Sequence, residues 1–440
     1  MKKILLLCVA VLGLQTISAQ KTYKFELQLI AEGNFGTPNG DVYTVSNTTG
    51  TTITSGPRYQ NANTTATGFD VLQDFQIIGN KAVLLSKSSG FKVVIAEYPS
   101  LSHIHTFTGL GAPQTLTDAG ENKAYLYSGN PNAIYQIDLL NNTAIAVADP
   151  NTTPSINGTS TYMTYANGYV YAAISSKIVK IDPVTNTVVG TILPGIGGIL
   201  GMQYDSNTQS LWLLGKVGAQ SAFLRINTAN NDSLDAPISL PEITNAKYLR
   251  LGNNKLYFLS ANTVCAYNLD TPEVTSTPIV YTSTFANNWY FAYGKAFDVD
   301  PISGDFTIGS ANAFTSGSSY EIVSGSDYQL IASGSVPGCI GVNELILKSE
   351  EVLGVNNPTA DRFTAYPNPS SDIVTFHTES DYAYTVSLYN QLGALLFTSK
   401  SNGKDCKITV TDLAAGIYYA NLKSDSGEAP SSVKKIIVTH

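Results

Sequence analysis

Six copies of one strand-and-turn unit predict an all-β protein, a seven-bladed β-propeller followed by a small Ig-like β-sandwich. The copies begin at Asn80, Asn122, Asn167, Gln209, Asn254 and Gly304, at intervals of 42 to 50 residues. That period suits a blade of three or four strands. Within the units the pattern reads with period two, as from Lys255 to Leu259, which disfavours helices. The last eighty or so residues abandon the period for about seven short strands, the size of a small sandwich.

Taken in order, the chain opens with Lys2-Lys3, an apolar run from Ile4 to Leu14 and the small-residue site Ile17-Ser18-Ala19. Residues 1–19 therefore read as a signal peptide. The run is too short for a permanent membrane span, and Cys8 has no lipobox before it. Residues 20–348 form the propeller. Its first unit is incomplete: Phe25 to Asn34 aligns with the second strand of a blade and Gly40 to Asn47 with the third, while an innermost strand is missing. Gly341 to Lys348 has the pattern to supply it. A blade exposes sheet edges and apolar faces unless neighbours cover them, so the ring must close on itself. Residues 349–362, polar with Pro and Asn, form the linker, and 363–440 the tail domain.

Composition sets limits on function. Charged residues make up 13% of the 440 residues and the net charge is −8, which argues against nucleic acid, whose phosphates need a basic face. Beyond the leader, Cys265, Cys339 and Cys406 are an odd, widely spaced set. They read as small buried residues and not as a disulfide framework.

Four groups of residues in the tail form one pattern. They are Tyr366-Pro367-Asn368-Pro369-Ser370, Leu388-Tyr389-Asn390 with Gly393, Leu413 with Gly416-Ile417-Tyr418, and Lys434-Lys435-Ile436-Ile437-Val438. Together they closely resemble the type A C-terminal sorting domain of the type IX secretion system. The resemblance implies export across the outer membrane of a Bacteroidota-type bacterium by that machinery. It also implies removal of the domain, with the body tethered to the cell surface or released. In the body, Ile181 to Thr187 resembles the blade motif of YVTN-type propellers. Glu32-Gly33-Asn34-Phe35-Gly36, followed by Asn39-Gly40, resembles the opening of a surface-propeller family of the same bacteria. That family is related to cobalamin-binding propellers that pass their ligand to an outer-membrane transporter. This resemblance implies a corrinoid ligand and a transporter partner, although the lipid anchor usual in those binders is missing here.

In a propeller, the loops between second and third strands and those between blades emerge on one face. The loop from Phe285 to Tyr293 carries five aromatic residues in nine, which suits a flat, amphipathic platform for a sugar or planar ring. The ligand-binding candidates are Asn34, Phe35, Tyr59, Tyr127, Trp289, Tyr290 and Phe314. Phe291 and Tyr293 have an alternative reading, as the start of the next inner strand packed between blades. No metal is expected. His103 and His105 share a strand face without a third ligand, and Asp298, Asp300 and Asp305 with Gly304 read as turn residues before calcium ligands. Neither the G-x-S-x-G, H-E-x-x-H and P-loop motifs nor a dinucleotide fingerprint occurs. Glu32, Asp70, Asp74, Asp118 and Glu344 are the carboxylates expected to approach one another at the ring centre. The expected function is thus non-catalytic capture of a small molecule or glycan, without a cofactor. The alternatives are a lyase or glycoside-cleaving propeller, or an adhesin recognising protein through an exposed apolar patch.

Overall fold

The computed structural model describes residues 22–88, 92–270, 279–352, 363–378, 383–390, 394–401, 403–424 and 432–440. The signal peptide and most of the expected linker, with Gly393 of the tail pattern, lie outside these residues. The chain divides into two compact units, Tyr23–Glu351 and one that includes Val352–His440.

The larger unit is built from antiparallel sheets with a single short helix, Arg58–Ala62, among the described residues. Each sheet starts from a strand near a common axis. In chain order these strands are Leu72–Ile78, Pro113–Asp118, Ser160–Ala166, Gly197–Asp205, Ala246–Gly252 and Phe297–Val299, and each leads outward through its following strands. In the remaining sheet the order is Val342–Val352, Thr22–Ala31, Asp41–Ser46, Ile53–Ser55. The strand that the first unit lacks thus comes from the end of the body. The Glu32 and Gly33 amides donate to the Gly341 and Ile340 carbonyls at 2.8 and 2.9 Å, which continues the pairing.

Burial follows from the stacking of these sheets. The second strands, such as Lys81–Ser86, Tyr169–Ile174 and Lys255–Ser260, are buried along nearly their whole length. The period-two alternation expected for them is therefore absent from the burial. A strand covered on both faces by neighbouring sheets has no wet side to carry polar residues. Each apolar cluster draws on two successive sheets; for example, Leu126 and Ile137 pack with Val83 and Leu85. One cluster joins Phe25, Leu27 and Leu29 of the first sheet to Tyr320 and Ile322 of the last, with Val342, Leu345 and Leu347 between them.

The innermost hairpins turn on pairs of residues with positive φ: Glu121-Asn122, Asn167-Gly168 and Asn253-Asn254. Two consecutive left-handed residues are what a tight I′ hairpin requires, and Asn and Gly reach that conformation at least cost. At the outer turns an aspartate side chain caps the chain: Asp138 Oδ1 accepts from the Leu140 and Asn141 amides, and Asp182 Oδ1 from the Val184 amide. These hydrogen bonds hold both carboxyls below their ordinary range.

The smaller unit has two sheets. One is ordered Phe363–Tyr366, Ile373–Thr378, Asp405–Thr409, and the other Leu395–Lys400, Tyr384–Tyr389, Gly416–Ser424, Ser432–Val438. Val374, Phe376 and Ile408 of the first pack on Val386, Leu388, Leu422 and Ile436 of the second. The Tyr384 hydroxyl donates to the Phe376 carbonyl at 2.7 Å.

Candidate functional site

The aromatic loop lies between the strands Ile279–Thr282 and Phe297–Val299. It is fixed to the neighbouring hairpin. The Ala311 amide donates to the Tyr290 carbonyl at 3.1 Å, the Ala292 amide to the Gly309 carbonyl at 2.9 Å, and Phe291 bridges Ser310. Four rings collect there. Trp289 lies 5.7 Å from Tyr290, 5.2 Å from Tyr293 and 5.4 Å from Phe314 by ring centroids, and Phe314 lies 4.9 Å from Tyr293. Trp289 is 64% exposed, while the other three are half-buried. Phe314 packs against the closing strand at Gly341, which has φ +67°; a Cβ there would meet the Phe314 ring at 2.9 Å. Glycine thus serves both the left-handed turn and the close approach.

Glu32 is buried beside these rings. Burial raises its carboxyl above the ordinary range, against the Tyr293 hydroxyl and the Lys87 charge, which lower it. Its Oε2 has no hydrogen-bond partner among the described residues, and the Oε1 contact from Gln73 Nε2 is a long 3.5 Å. Burial, with the Glu32 charge adding to it, pushes the Tyr293 hydroxyl up to about 12.

A layer of charge crosses the axis beneath the loop face. Lys295 pairs with Asp74, which also accepts from Thr115 Oγ1 at 3.0 Å and the Leu116 amide at 3.2 Å. Burial pulls the Lys295 ammonium down, but Asp74 and Glu344 together bring it above its ordinary value. Glu344 Oε2 accepts from the Phe75 amide at 3.0 Å. Burial, with the Asp74 charge beside it, pushes the Glu344 carboxyl up to about 8. Further along the inner strands Arg250 Nε meets Asp298 Oδ1 at 3.2 Å, and Asp298 Oδ2 accepts from the Leu347 amide at 2.9 Å. These residues line a cavity of about 740 Å³ that extends to the turn at Asp300–Ile302, at the far end of the inner strands from the aromatic loop.

The residues expected at the site separate into groups. Trp289, Tyr290 and Phe314 come together, joined by Tyr293; Phe291 instead enters the core between two sheets. Phe35 is 85% exposed and makes no ring contact with the cluster among the described residues. Asn34 spends its side chain on Asn39, accepting from Nδ2 at 2.7 Å. Tyr59 and Tyr127 are corrections. Both are buried, Tyr59 against Phe69 in the core and Tyr127 with its hydroxyl on the Gly158 carbonyl, so neither joins the rings around Trp289. Of the five carboxylates expected at the centre, Asp74 and Glu344 meet there. Glu32 and Asp70 stay at the loop face, where Asp70 Oδ1 accepts from the Gly36 amide at 2.9 Å, and Asp118 caps an exposed turn at Gly120. Asp300 and Asp305 hold turn and strand amides: Asp300 those of Ile302, Ser303 and Ser349, Asp305 that of Gly325. Sequence reasoning missed Tyr162, Arg250 and Lys295, which reach the axis from three different sheets. Their only sequence signal is a polar side chain on an innermost strand or just before one.

In the tail the expected sorting residues meet. Asn368 Oδ1 accepts from the Ile437 amide at 2.8 Å and its Nδ2 donates to the Lys435 carbonyl at 2.8 Å, so the Pro367-Asn368-Pro369 turn is clasped to the Lys434-Lys435 strand. Gly416 and Ile417 pair with Val438 and Ile437 on the other edge of that strand. Tyr418 turns into the core and its hydroxyl donates to the Ala414 carbonyl at 2.7 Å. Tyr366 is left half exposed.

Comparison with known proteins gives matches over both units. Residues 364–439 match the model of the secretion system C-terminal sorting domain, and residues 27–332 match a model described as a domain of unknown function, DUF5074. No curated protein matches the sequence. Among solved structures, a quinonprotein alcohol dehydrogenase-like protein from Bacteroides thetaiotaomicron is 13% identical with a TM-score of 0.50, covering 71% of this chain and 76% of that one. PorZ, an essential bacterial surface component of the type IX secretion system of Porphyromonas gingivalis, is 12% identical with a TM-score of 0.43. The match covers 91% of this chain but spans only 63% of PorZ. The WD40 domain of Neurospora crassa Pan2 is 14% identical with a TM-score of 0.44, over 64% of this chain and 86% of that one. The Bacteroides likeness bears on fold alone: the body is all-β and propeller-like.

Proposed function

The chain belongs to the DUF5074 family and carries a type IX sorting domain, and from that premise we propose that its body is a seven-bladed ring that captures a small molecule or glycan on its loop face without catalysis. The sorting domain marks the protein for type IX export to the cell surface or the medium, so the secretion machinery is one partner. The tail, in this reading, is an Ig-like sandwich that serves as the address.

The observation that carries the binding reading is the four-ring cluster around Trp289, partly exposed next to a buried carboxylate with one unpartnered oxygen. Rings of this kind offer a rigid, weakly hydrated surface at small ordering cost, and a ligand hydroxyl or amine directed at Glu32 would complete a polar contact. Absence of catalysis is supported by how two of the three axial carboxylates are engaged, Glu344 being the third. Asp74 and Asp298 are each held by a cation and a backbone amide, which leaves neither poised to exchange a proton.

Fluorescence tests the proposal directly. The chain has two tryptophans, and Trp212 is buried at 7% exposure. Quenching by a loop-face ligand therefore reports on Trp289. Titration of the full chain with cyanocobalamin tests the corrinoid form, and a glycan array tests the saccharide form. By calorimetric titration, which does not depend on that fluorophore, Trp289→Ala is expected to lower affinity about tenfold, the scale of one lost ring contact. Undiminished binding by that variant would remove the loop face from the account.

A further inference from the structure

The axial cavity presents a chemistry of its own, independent of the loop face. Its buried carboxylates are largely consumed by the protein. Asp74 takes Lys295, Thr115 and the Leu116 amide, and Asp298 takes Arg250 and the Leu347 amide. Asp300 takes the Ile302, Ser303 and Ser349 amides. Glu344 Oε2 takes the Phe75 amide, and burial with the Asp74 charge favours its neutral form. The donors are not consumed. Arg250 uses Nε on Asp298 and Nη1 on the Leu249 carbonyl at 3.1 Å, leaving Nη2 without a protein partner among the described residues. Lys295 uses one of its three N–H groups. Tyr162 lines the same cavity, its hydroxyl within electrostatic reach of Arg250. Met163 and Met202 supply apolar wall beside these groups.

A concave space with spare donors and few spare acceptors is complementary to an acceptor-rich ligand. Guanidinium and ammonium groups select among such ligands for those with a charged oxygen pair, because the hydrogen bonds are then charge-assisted. The volume, about 740 Å³, lies within the roughly 300–1,000 Å³ typical of small-molecule sites. We infer that this cavity is a second binding site, for a small organic acid whose carboxylate is received by Arg250, Tyr162 and Lys295, with its remainder against the two methionines.

Saturation-transfer NMR on the full chain tests this. Benzoate, glucuronate and succinate are each compared with a neutral counterpart: benzyl alcohol, glucose and butanediol. At least one acid is expected to give a saturable signal that its neutral counterpart lacks. Tyr162→Phe, which removes one hydroxyl and little volume, is expected to weaken that signal about three- to tenfold. The double change Arg250→Met with Asp298→Asn removes the ion pair as a unit, so no buried charge is orphaned, and is expected to abolish it. The inference is overturned if no acid exceeds its neutral counterpart, or if Tyr162→Phe binds as the parent does. It is also overturned if Trp289→Ala abolishes the signal, which would place the acid on the loop face.

Discussion

Glu344 shows how much a single side chain on the axis depends on its surroundings. Its carboxyl is raised to about 8 by burial and by Asp74, with Lys295 and Arg250 pulling the other way. In the unfolded chain it ionises near the ordinary glutamate value of 4.5. Between those two values the native state holds the proton and the unfolded state does not, so this residue's contribution to stability is full below about pH 4.5, declines as pH rises, and is lost above about 8. Glu344→Gln cannot ionise and is expected to flatten that decline, with the parent losing more Tm than the variant between pH 5 and 8 by calorimetry. Parallel losses would show that other groups carry the pH dependence. Glu344 was visible in the sequence as a candidate for the centre, but its setting was not. Lys295 reaches Asp74 across 221 residues of chain, and nothing local marks either as a partner of the other. Tyr127 failed for a related reason: on a strand covered on both faces, sequence does not show that its ring is enclosed.

At the level of strands and turns the sequence was far more informative. Asn-Gly and Asn-Lys pairs mark the inner hairpins because left-handed backbone is cheap for Asn and Gly, whereas the period-two reading of the strands between them did not carry into burial, because neighbouring sheets cover both of their faces. The sorting turn was equally visible as a motif, yet its mechanical role was not. Asn368 makes two hydrogen bonds to the terminal strand, and the partners sit 67 and 69 residues away. Asn368→Ala is expected to destabilise the tail by about 1–2 kcal/mol, the net worth of two such bonds, leaving the body's own melting transition in place. A calorimetric trace in which the body transition moves instead would contradict that assignment.

Across the whole molecule, one late strand determines whether the circuit of sheets is complete. Val342–Val352 covers Phe25, Leu27 and Leu29 of the first sheet and stands against Leu72 and Gln73 through Asn343, whose Nδ2 donates to both carbonyls at 3.2 and 2.9 Å. A chain ending at Cys339 leaves Thr22–Ala31 as a bare, apolar edge. Each uncovered side chain of this size gives up as much as about 1.5–3 kcal/mol, and the edge itself recruits other chains. That truncation is expected to elute as oligomers on size exclusion, and a stable monomer would mean that the strand is dispensable. The arrangement also has a consequence in time. Tyr23 and Ser324, hydrogen-bonded at 3.1 Å, are separated by 301 positions. A chain that emerges from its amino end must therefore wait, with one edge of its earliest strand unpaired, until nearly all of the body has been delivered.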